Sequence, residues 1–279
     1  MKQFYIAGLA LFLAAGNASS AHAADERAEK SGDKGSDKAL AVTETRPIDA
    51  RVVRVHLDGV IDLTIRQGAV AQLVLTGEQK AIVRTTTEQS GDTIVIDNDE
   101  HVRKRDRDGK VSFGFHRSRA LRAELILPRL RELRSDSLGK TEVSGFNGDE
   151  LDLALEGAGA MKVVADYKVI NASLGGIGSM NIQTGNSERI DLNLHGAGYV
   201  TLIGRTRLLK ASLGGLGGLD AEKFQADAVN IDMSGLGNAS VLARQSAVLN
   251  LSGMGSVTVY GKPEKRSVSV DGLGKVSWK

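Results

Sequence analysis

Few side chains in this sequence have the types and spacing that catalysis or metal binding needs. His56, His101, His116 and His195 are scattered, without the His-x-His or His-Glu-x-x-His spacing that brings two imidazoles to one metal. Cysteine is absent, which excludes a thiol nucleophile and disulfides, and no Gly-x-Ser-x-Gly nucleophile elbow occurs. We therefore predict no catalytic residue, no metal site and no cofactor.

The densest set of oxygen ligands is Asp97-Asn98-Asp99-Glu100-His101. Carboxylate and amide oxygens at this density could hold a hard cation such as calcium. The set directly follows a β-rich run, Thr93 to Ile96, where a polar turn is expected in any case. We interpret it as a solvated turn.

The segment from His101 to Arg122 is strongly basic, with Asp106 and Asp108 as its only acids. Guanidinium and ammonium groups at this density can bind anionic polymers, lipid head groups or lipopolysaccharide phosphate. A solvated insertion between two strands explains the same composition, and we favour it. The candidate residues for an anionic ligand are Arg103, Lys104, Arg105, Arg107, Arg117 and Arg119.

A Gly-x-Gly step returns every 18 to 20 residues along the second half of the chain. A fixed period of this length, flanked by alternating apolar residues, is typical of stacked coils of parallel strand. Ser137-Leu138-Gly139 is a degenerate first copy. The full copies are Gly157-Ala158-Gly159, Gly176-Ile177-Gly178, Gly196-Ala197-Gly198, Gly215-Leu216-Gly217, Gly235-Leu236-Gly237, Gly253-Met254-Gly255 and Gly272-Leu273-Gly274.

Within each repeat, one set of alternate residues is aliphatic and the other is short and polar. Around Gly178, for example, the aliphatic set runs from Ile170 to Ile182 through Leu174 and Met180. Because alternate strand residues point to opposite faces, stacked coils would bury one continuous aliphatic column. Small polar residues also recur once per coil and predict either a hydrogen-bonded ladder or a solvated face; they are Ser173, Asn193, Ser212, Asp232, Asn250 and Ser269.

The central residue of every full Gly-x-Gly copy is apolar. Glycine is a frequent place for strand alternation to break, so we favour packing of these residues inside the column. If alternation continues through the step, they instead form an exposed stripe that marks a partner or self-association surface. The candidate partner-binding residues are Ile177, Leu216, Leu236, Met254 and Leu273.

The N-terminal part of the chain has three kinds of sequence. Residues 1–23 are typical of a signal peptide, with Lys2, an apolar run and the small-x-small site Ala21-His22-Ala23. Residues 24–45 are charged and small, as in a disordered linker. Residues 46–279 are predicted to form one β-helix domain. Irregular first coils and a cap are expected over 46–135, with strands at Ile82-Val83 and Leu121 to Leu127, and Gly-x-Gly repeats over 136–279.

Charge and aromatic content restrict the classes of partner. The formal net charge is +2, which argues against nucleic-acid binding, and no segment after the leader is apolar enough to span a membrane. Aromatic residues make up 4% of the chain, fewer than stacking platforms for single strands or sugars usually need. We expect an exported protein of the periplasm or cell envelope, with an envelope polysaccharide, another protein or a second copy as its partner.

The sequence resembles the DUF2807 family, described as a putative auto-transporter adhesin, head GIN domain. The resemblance rests on Val60 to Gly68, Leu73 to Glu78, Leu127-Pro128-Arg129-Leu130 and the Gly-x-Gly series. It implies an all-β, right-handed, single-stranded parallel β-helix with coils of about 19 residues, and brings no established activity. We therefore expect a non-enzymatic binding, adhesion or scaffold module of the envelope.

Two alternatives to a binding module stay open at this point. One is a polysaccharide-active enzyme of the pectate-lyase type, whose β-helix carries clustered acidic residues with calcium and a basic residue; here Asp152, Asp191 and Asp232 fall in different coils. The other is a purely structural envelope protein. A groove that brings several carboxylates and a basic side chain together would favour the enzyme.

Overall fold

The structure is a computed structural model that describes residues 41–98, 104–105, 111–112 and 121–279. It is 76% strand, forms a parallel β-helix of about 7 turns, and thereby confirms the predicted fold class. The described residues form one compact unit.

Up to Ser135, the described residues form ten short strands and one short helix. They are β1 (Ala41–Pro47), β2 (Arg54–Gly59), β3 (Ile61–Gln67), β4 (Gln72–Glu78), α1 (Gln79–Arg84), β5 (Thr85–Ser90), β6 (Thr93–Asn98), β7 (Lys104–Arg105), β8 (Val111–Ser112), β9 (Leu121–Leu127) and β10 (Glu132–Ser135). The strands of the repeats are β11 (Lys140–Leu155), β12 (Ala158–Leu174), β13 (Ile177–Gln183), β14 (Ser187–Leu194), β15 (Ala197–Leu213), β16 (Leu216–Met233), β17 (Leu236–Leu251), β18 (Ser256–Tyr260), β19 (Lys265–Val270) and β20 (Lys275–Trp278).

Each coil of the solenoid has two strand sides, one before and one after its Gly-x-Gly step. In the coil of β13 and β14 the two sides are separate strands, whereas the long strands β12, β15, β16 and β17 continue around the second corner. All pairings between successive coils are parallel and advance by one repeat, as in Ile170↔Ile190 and Met180↔Met161. Chemically equivalent residues therefore stack directly upon one another.

The column core consists of the aliphatic set that the alternation predicted. Ile170, Ala172, Leu174, Met180 and Ile182 are all buried, with at most 4% of any side chain exposed. Buried apolar area of this kind, continued over all coils, supplies most of the stabilisation of a solenoid whose single coils could not fold alone.

The Gly-x-Gly steps are required because successive coils approach each other closely there. A Cβ atom on Gly217 would collide with the carbonyl oxygen of Gly198, and one on Gly178 with that of Gly159. The glycine positions therefore lie against the backbone of the preceding coil, and no larger residue fits without separating the two coils.

The first coils differ from the repeats in their pairing. β2 and β3 stack on β10 and β11, and β6 and β9 stack on β2 and β3, all in parallel. β4 then pairs antiparallel with β9, β1 with β4, and β5 with β6. Antiparallel strands thus follow the last parallel coil at this end of the column.

Two predictions for this region are wrong. Ile82 and Val83 lie on helix α1, not on a strand; the helical turn buries Ile82 and leaves Val83 exposed, which a two-residue apolar run cannot indicate. The predicted linker also ends too late, because β1 begins at Ala41 and pairs with β4 through Ala41↔Glu78. The side chains of β1 are mostly exposed, so the strand is held by its backbone pairing with β4 rather than by burial. Amino-acid composition does not indicate such a strand.

Tyr167 joins the repeats to the first coils through a buried hydrogen bond. Its hydroxyl donates to the carbonyl oxygen of Leu130 at 2.6 Å, and 2% of the residue is exposed. Burial raises the pKa of the Tyr167 phenol to about 12, because the charged form would lose its hydration.

The raised pKa predicts a loss of stability at alkaline pH that depends on Tyr167. In the folded state the phenol keeps its proton at pH values where the unfolded chain has already lost it. The stabilisation of the fold by the neutral phenol is therefore complete below about pH 10 and is lost as the pH rises towards 12. Urea unfolding from pH 8 to 12 should show a steeper decline for wild type than for Tyr167→Phe. The variant should also be about 1–2 kcal/mol less stable at pH 8, since the Leu130 carbonyl loses its partner. Parallel pH profiles for the two proteins would contradict this role.

Candidate functional site

An unbroken row of apolar side chains runs along one longitudinal edge of the column. This apolar ridge consists of the central Gly-x-Gly residues and Leu138, and all its members are exposed: Leu138, Ala158, Ile177, Ala197, Leu216, Leu236, Met254 and Leu273. The exposed fraction is 67% for Ile177, 57% for Leu216 and 82% for Leu273. Packing of these residues inside the column, which the sequence favoured, is therefore wrong. Alternation continues through the step because the two glycines, not the central residue, face the neighbouring coil.

The parallel register aligns the ridge into one straight line. Ala158, Ile177, Ala197, Leu216 and Leu236 are direct register partners on successive coils. The registers Lys140↔Ala160, Asn238↔Ser256 and Ser256↔Lys275 extend the line to Leu138, Met254 and Leu273. At about 4.8 Å per coil, the ridge is roughly 34 Å long.

Two outward rows accompany the ridge, one on each side, and we call them the flanking rows. Between the coils of Ile177 and Met254 they contain no Lys, Arg, Asp or Glu. Tyr199 is half exposed and its ring lies over Gly218, which adds aromatic surface to the band. Desolvation and the nearby carboxylates of Asp220 and Glu222 raise the pKa of the Tyr199 phenol above its ordinary value. The members in these coils are Gly175, His195, Gly214, Ser234 and Ser252 on one side, and Ser179, Tyr199, Gly218, Asn238 and Ser256 on the other.

Charges enter the flanking rows near the two ends of the ridge, with Glu156 beside Ala158 in the second ridge coil and charged pairs in the first and last coils. The first ridge coil reads Asp136-Ser137-Leu138-Gly139-Lys140 and the last reads Asp271-Gly272-Leu273-Gly274-Lys275. In both coils an aspartate lies on one side of the ridge leucine and a lysine on the other, and all four charged residues are exposed. This arrangement was not predicted, although the repeated Asp-x-Leu-Gly-Lys pattern indicates it in the sequence.

The strand side that precedes each glycine step presents a polar face. It contains a shallow groove of about 760 Å³, lined by residues that include Asp152, Asn171, Asp191, Lys210 and Asp232. The recurring small polar residues are register partners here, as in Ser173↔Asn193 and Ser212↔Asp232. Hydrogen bonds between coils occur where amide and carboxylate meet: Asn250 donates to Asp232 at 2.7 Å, and Asn171 donates to Asp152 at 2.7 Å.

The carboxylates of this groove are each held by a neighbour. Besides the two amide contacts, Asp191 forms an ion pair with Arg189 at 2.7 Å. The groove does contain several carboxylates and the basic Lys210, but Asp152 and Asp191 lie two coils apart in their row, about 10 Å at the spacing of parallel strands, so the acids are spread along the groove. Among the residues that the structure describes, no group of three or more His, Cys, Asp or Glu side chains is arranged to hold a metal ion.

The candidate anionic-ligand segment lies outside the described residues, apart from the backbone of two short strands. β7 and β8 pair antiparallel through Lys104↔Ser112 and Arg105↔Val111. The side chains of Lys104 and Arg105, and all of Arg103, Arg107, Arg117 and Arg119, fall in the part that is not described, as do Asp99, Glu100 and His101. Within the described ranges, no helix is long and apolar enough to cross a membrane.

Comparison with known protein families identifies a match that covers most of the described residues. The model of DUF2807, described as "Putative auto-transporter adhesin, head GIN domain", matches residues 53–263. The chain belongs to the DUF2807 family. Among functionally curated proteins, no match is found.

Solved structures share the fold of this DUF2807 protein. A putative adhesin from Parabacteroides merdae superposes with a TM-score of 0.71 at 16% identity, over 87% of this chain and 97% of that one. A putative adhesin from Bacteroides fragilis gives 0.62 at 17% identity, over 86% and 97%. A putative lipid binding protein from Parabacteroides distasonis gives 0.60 at 20% identity, over 85% and 96%. Identities this low show the fold alone.

Proposed function

We propose that this DUF2807 protein is an exported, non-enzymatic binding module of the bacterial cell envelope. The observation that carries the proposal is the apolar ridge, a straight row of exposed aliphatic side chains on a rigid column. Soluble proteins rarely leave contiguous apolar surface in water unless a partner covers it. The family description, a putative adhesin, supports the same class of function.

Stacking glycines make the ridge well suited to recognition. Each ridge residue except Leu138, which follows Ser137, stands between two glycines, and these glycines let successive coils stack closely and hold the ridge residues in line. The coil pairing fixes the positions of all ridge residues before any partner arrives, which lowers the entropy lost on binding. An extended partner, such as an envelope protein or polysaccharide, can then contact several coils at once.

The test of the proposal is cosedimentation with envelope fragments of the producing bacterium. Export is checked first: the periplasmic fraction should contain the protein with an N-terminus at Ala24, determined by mass spectrometry. We expect wild type to cosediment and the Leu216→Ser/Leu236→Ser variant to lose at least about tenfold in affinity, as buried contact residues commonly do. The ridge leucines are exposed, so the variant should fold as wild type does.

Val70→Ser/Val83→Ser is the matched control, because these two residues are 72% and 70% exposed and lie off the ridge. It should bind as wild type does. Equal binding of the ridge variant and wild type would remove the ridge from the function. Cleavage of an envelope polysaccharide that is abolished by Asp191→Asn would show that the protein is an enzyme and that the proposal is wrong.

A further inference from the structure

We infer that the apolar ridge binds a second copy of this chain, in a parallel dimer whose two-fold axis runs along the ridge. This inference rests on the proposed function, since it names the partner of the same surface. The periodicity of the ridge, its neutral flanks and the charges at its two ends support this partner.

Periodicity favours another β-helix as the partner. The ridge residues are register partners at a constant spacing of one coil, about 4.8 Å. A partner with a different repeat would match the row over a short stretch only, whereas a second copy matches it over its whole length. The flanking rows between Ile177 and Met254 are free of charge. They therefore favour a partner with a neutral surface over an anionic partner, because no basic side chain borders the ridge there.

Charges at the ends of the ridge select the parallel orientation. A two-fold axis along the ridge exchanges the two flanking rows and keeps each coil level with its counterpart. Asp271 then faces Lys275 of the second copy, and Asp136 faces Lys140 of the second copy, so that each of the four residues meets an opposite charge.

The antiparallel arrangement is disfavoured by the same four residues. A two-fold axis perpendicular to the ridge keeps each flanking row opposite itself and brings the first coil against the last. Asp136 would then face Asp271, and Lys140 would face Lys275, which is repulsive at both ends. Asp271 and Lys275 have no ion-pair partner among the described residues, so both are available for an intermolecular pair. Asp136 is already paired with Arg134 at 3.0 Å, so the last coil contributes more to the choice of orientation than the first.

The size of the surface predicts a weak dimer. The ridge and its flanking rows are roughly 34 Å long and about 13 Å wide, or about 450 Å² per copy, from coil and residue spacings. Two such surfaces bury about 900 Å², which falls in the range of weak or transient complexes. Dimerisation should therefore depend on concentration.

Sedimentation velocity of the purified protein, without envelope material, tests the dimer between about 1 µM and 1 mM, the range of weak association. We expect a monomer–dimer equilibrium whose Kd rises at least tenfold in Asp271→Lys, because Lys would then face Lys275 of the second copy. The double variant Asp271→Lys/Lys275→Asp restores the opposite pairs and should return Kd to within about threefold of wild type. A monomer at all concentrations, or a double variant no better than the single one, would overturn the inference.

Cross-linking determines the orientation, and the absence of native cysteine makes single-cysteine variants unambiguous. With a short bismaleimide, Leu273→Cys should cross-link to itself, as should Leu138→Cys. A mixture of the two variants should give no Leu138→Cys to Leu273→Cys product, whereas an antiparallel dimer would give that product alone. If the dimer is absent but envelope binding still depends on Leu216 and Leu236, the ridge binds another partner and the proposed function stands.

Discussion

Gly217→Ala should lower the free energy of unfolding by about 3 kcal/mol, the upper part of the range for overpacked sites. The added Cβ would collide with the carbonyl oxygen of Gly198 on the preceding coil. That oxygen belongs to the backbone of a paired strand, so it cannot move without opening the contact between two coils. Urea unfolding followed by circular dichroism measures the loss.

Gly214→Ala is the control for this substitution, because it lies three residues away in the same glycine-rich step. A Cβ on Gly214 would have its nearest neighbour, the Ser234 hydroxyl oxygen, at 3.6 Å, an ordinary contact. We expect Gly214→Ala to change stability by less than about 1 kcal/mol, and the lower entropy of its unfolded chain even favours a small gain. Equal losses for the two variants would show that glycine serves flexibility here rather than close approach between coils.

Phe224→Ala should cost about 3–5 kcal/mol, as large-to-small changes in a packed core do. Phe224 is fully buried at the second corner of its coil, next to the register shift between Ala221 and Gln225. Its register partner on the preceding coil is Gly204, so the ring occupies space that its neighbour leaves free. Without the ring, a cavity would remain between coils that the backbone pairing holds at fixed spacing.

Urea unfolding measures this loss as well, with Lys223→Ala as the exposed neighbour for comparison. The control should stay within about 0.5 kcal/mol of wild type, as is usual for surface substitutions. Phe224→Leu keeps part of the volume and should fall between Phe224→Ala and wild type. If all three variants unfold together with wild type, Phe224 does not stabilise the column.

The repeats could be predicted from the sequence because a single rule describes them. Alternation identified Ile170, Leu174 and Met180 as core, and the glycine period set which residues stack on which coil. Both signals are local and are repeated many times, so each copy supports the others. The family resemblance, which rested on the same structural residues, is confirmed by the match over residues 53–263.

The candidate site was predicted only in part, because it depends on whether the ridge side chains point into the column or into solvent. The sequence showed that Ile177, Leu216 and Leu236 belong to one class, but not whether a glycine corner turns them inward or outward. Helix α1 and strand β1 were missed for a related reason: few residues of either contact the core, so neither has a strong hydrophobic pattern.

The sequence by itself determined the β-helix, its coil length and the composition of each face, because a period-2 strand repeated at a fixed interval has few other ways to bury its aliphatic residues. Tertiary structure alone decided that the ridge faces solvent and that Asp152, Asp191 and Asp232 share one groove. It also placed an aspartate and a lysine on opposite sides of the ridge at both of its ends. These features depend on how each coil bends and on the register between coils, and close backbone contacts at the glycines set both.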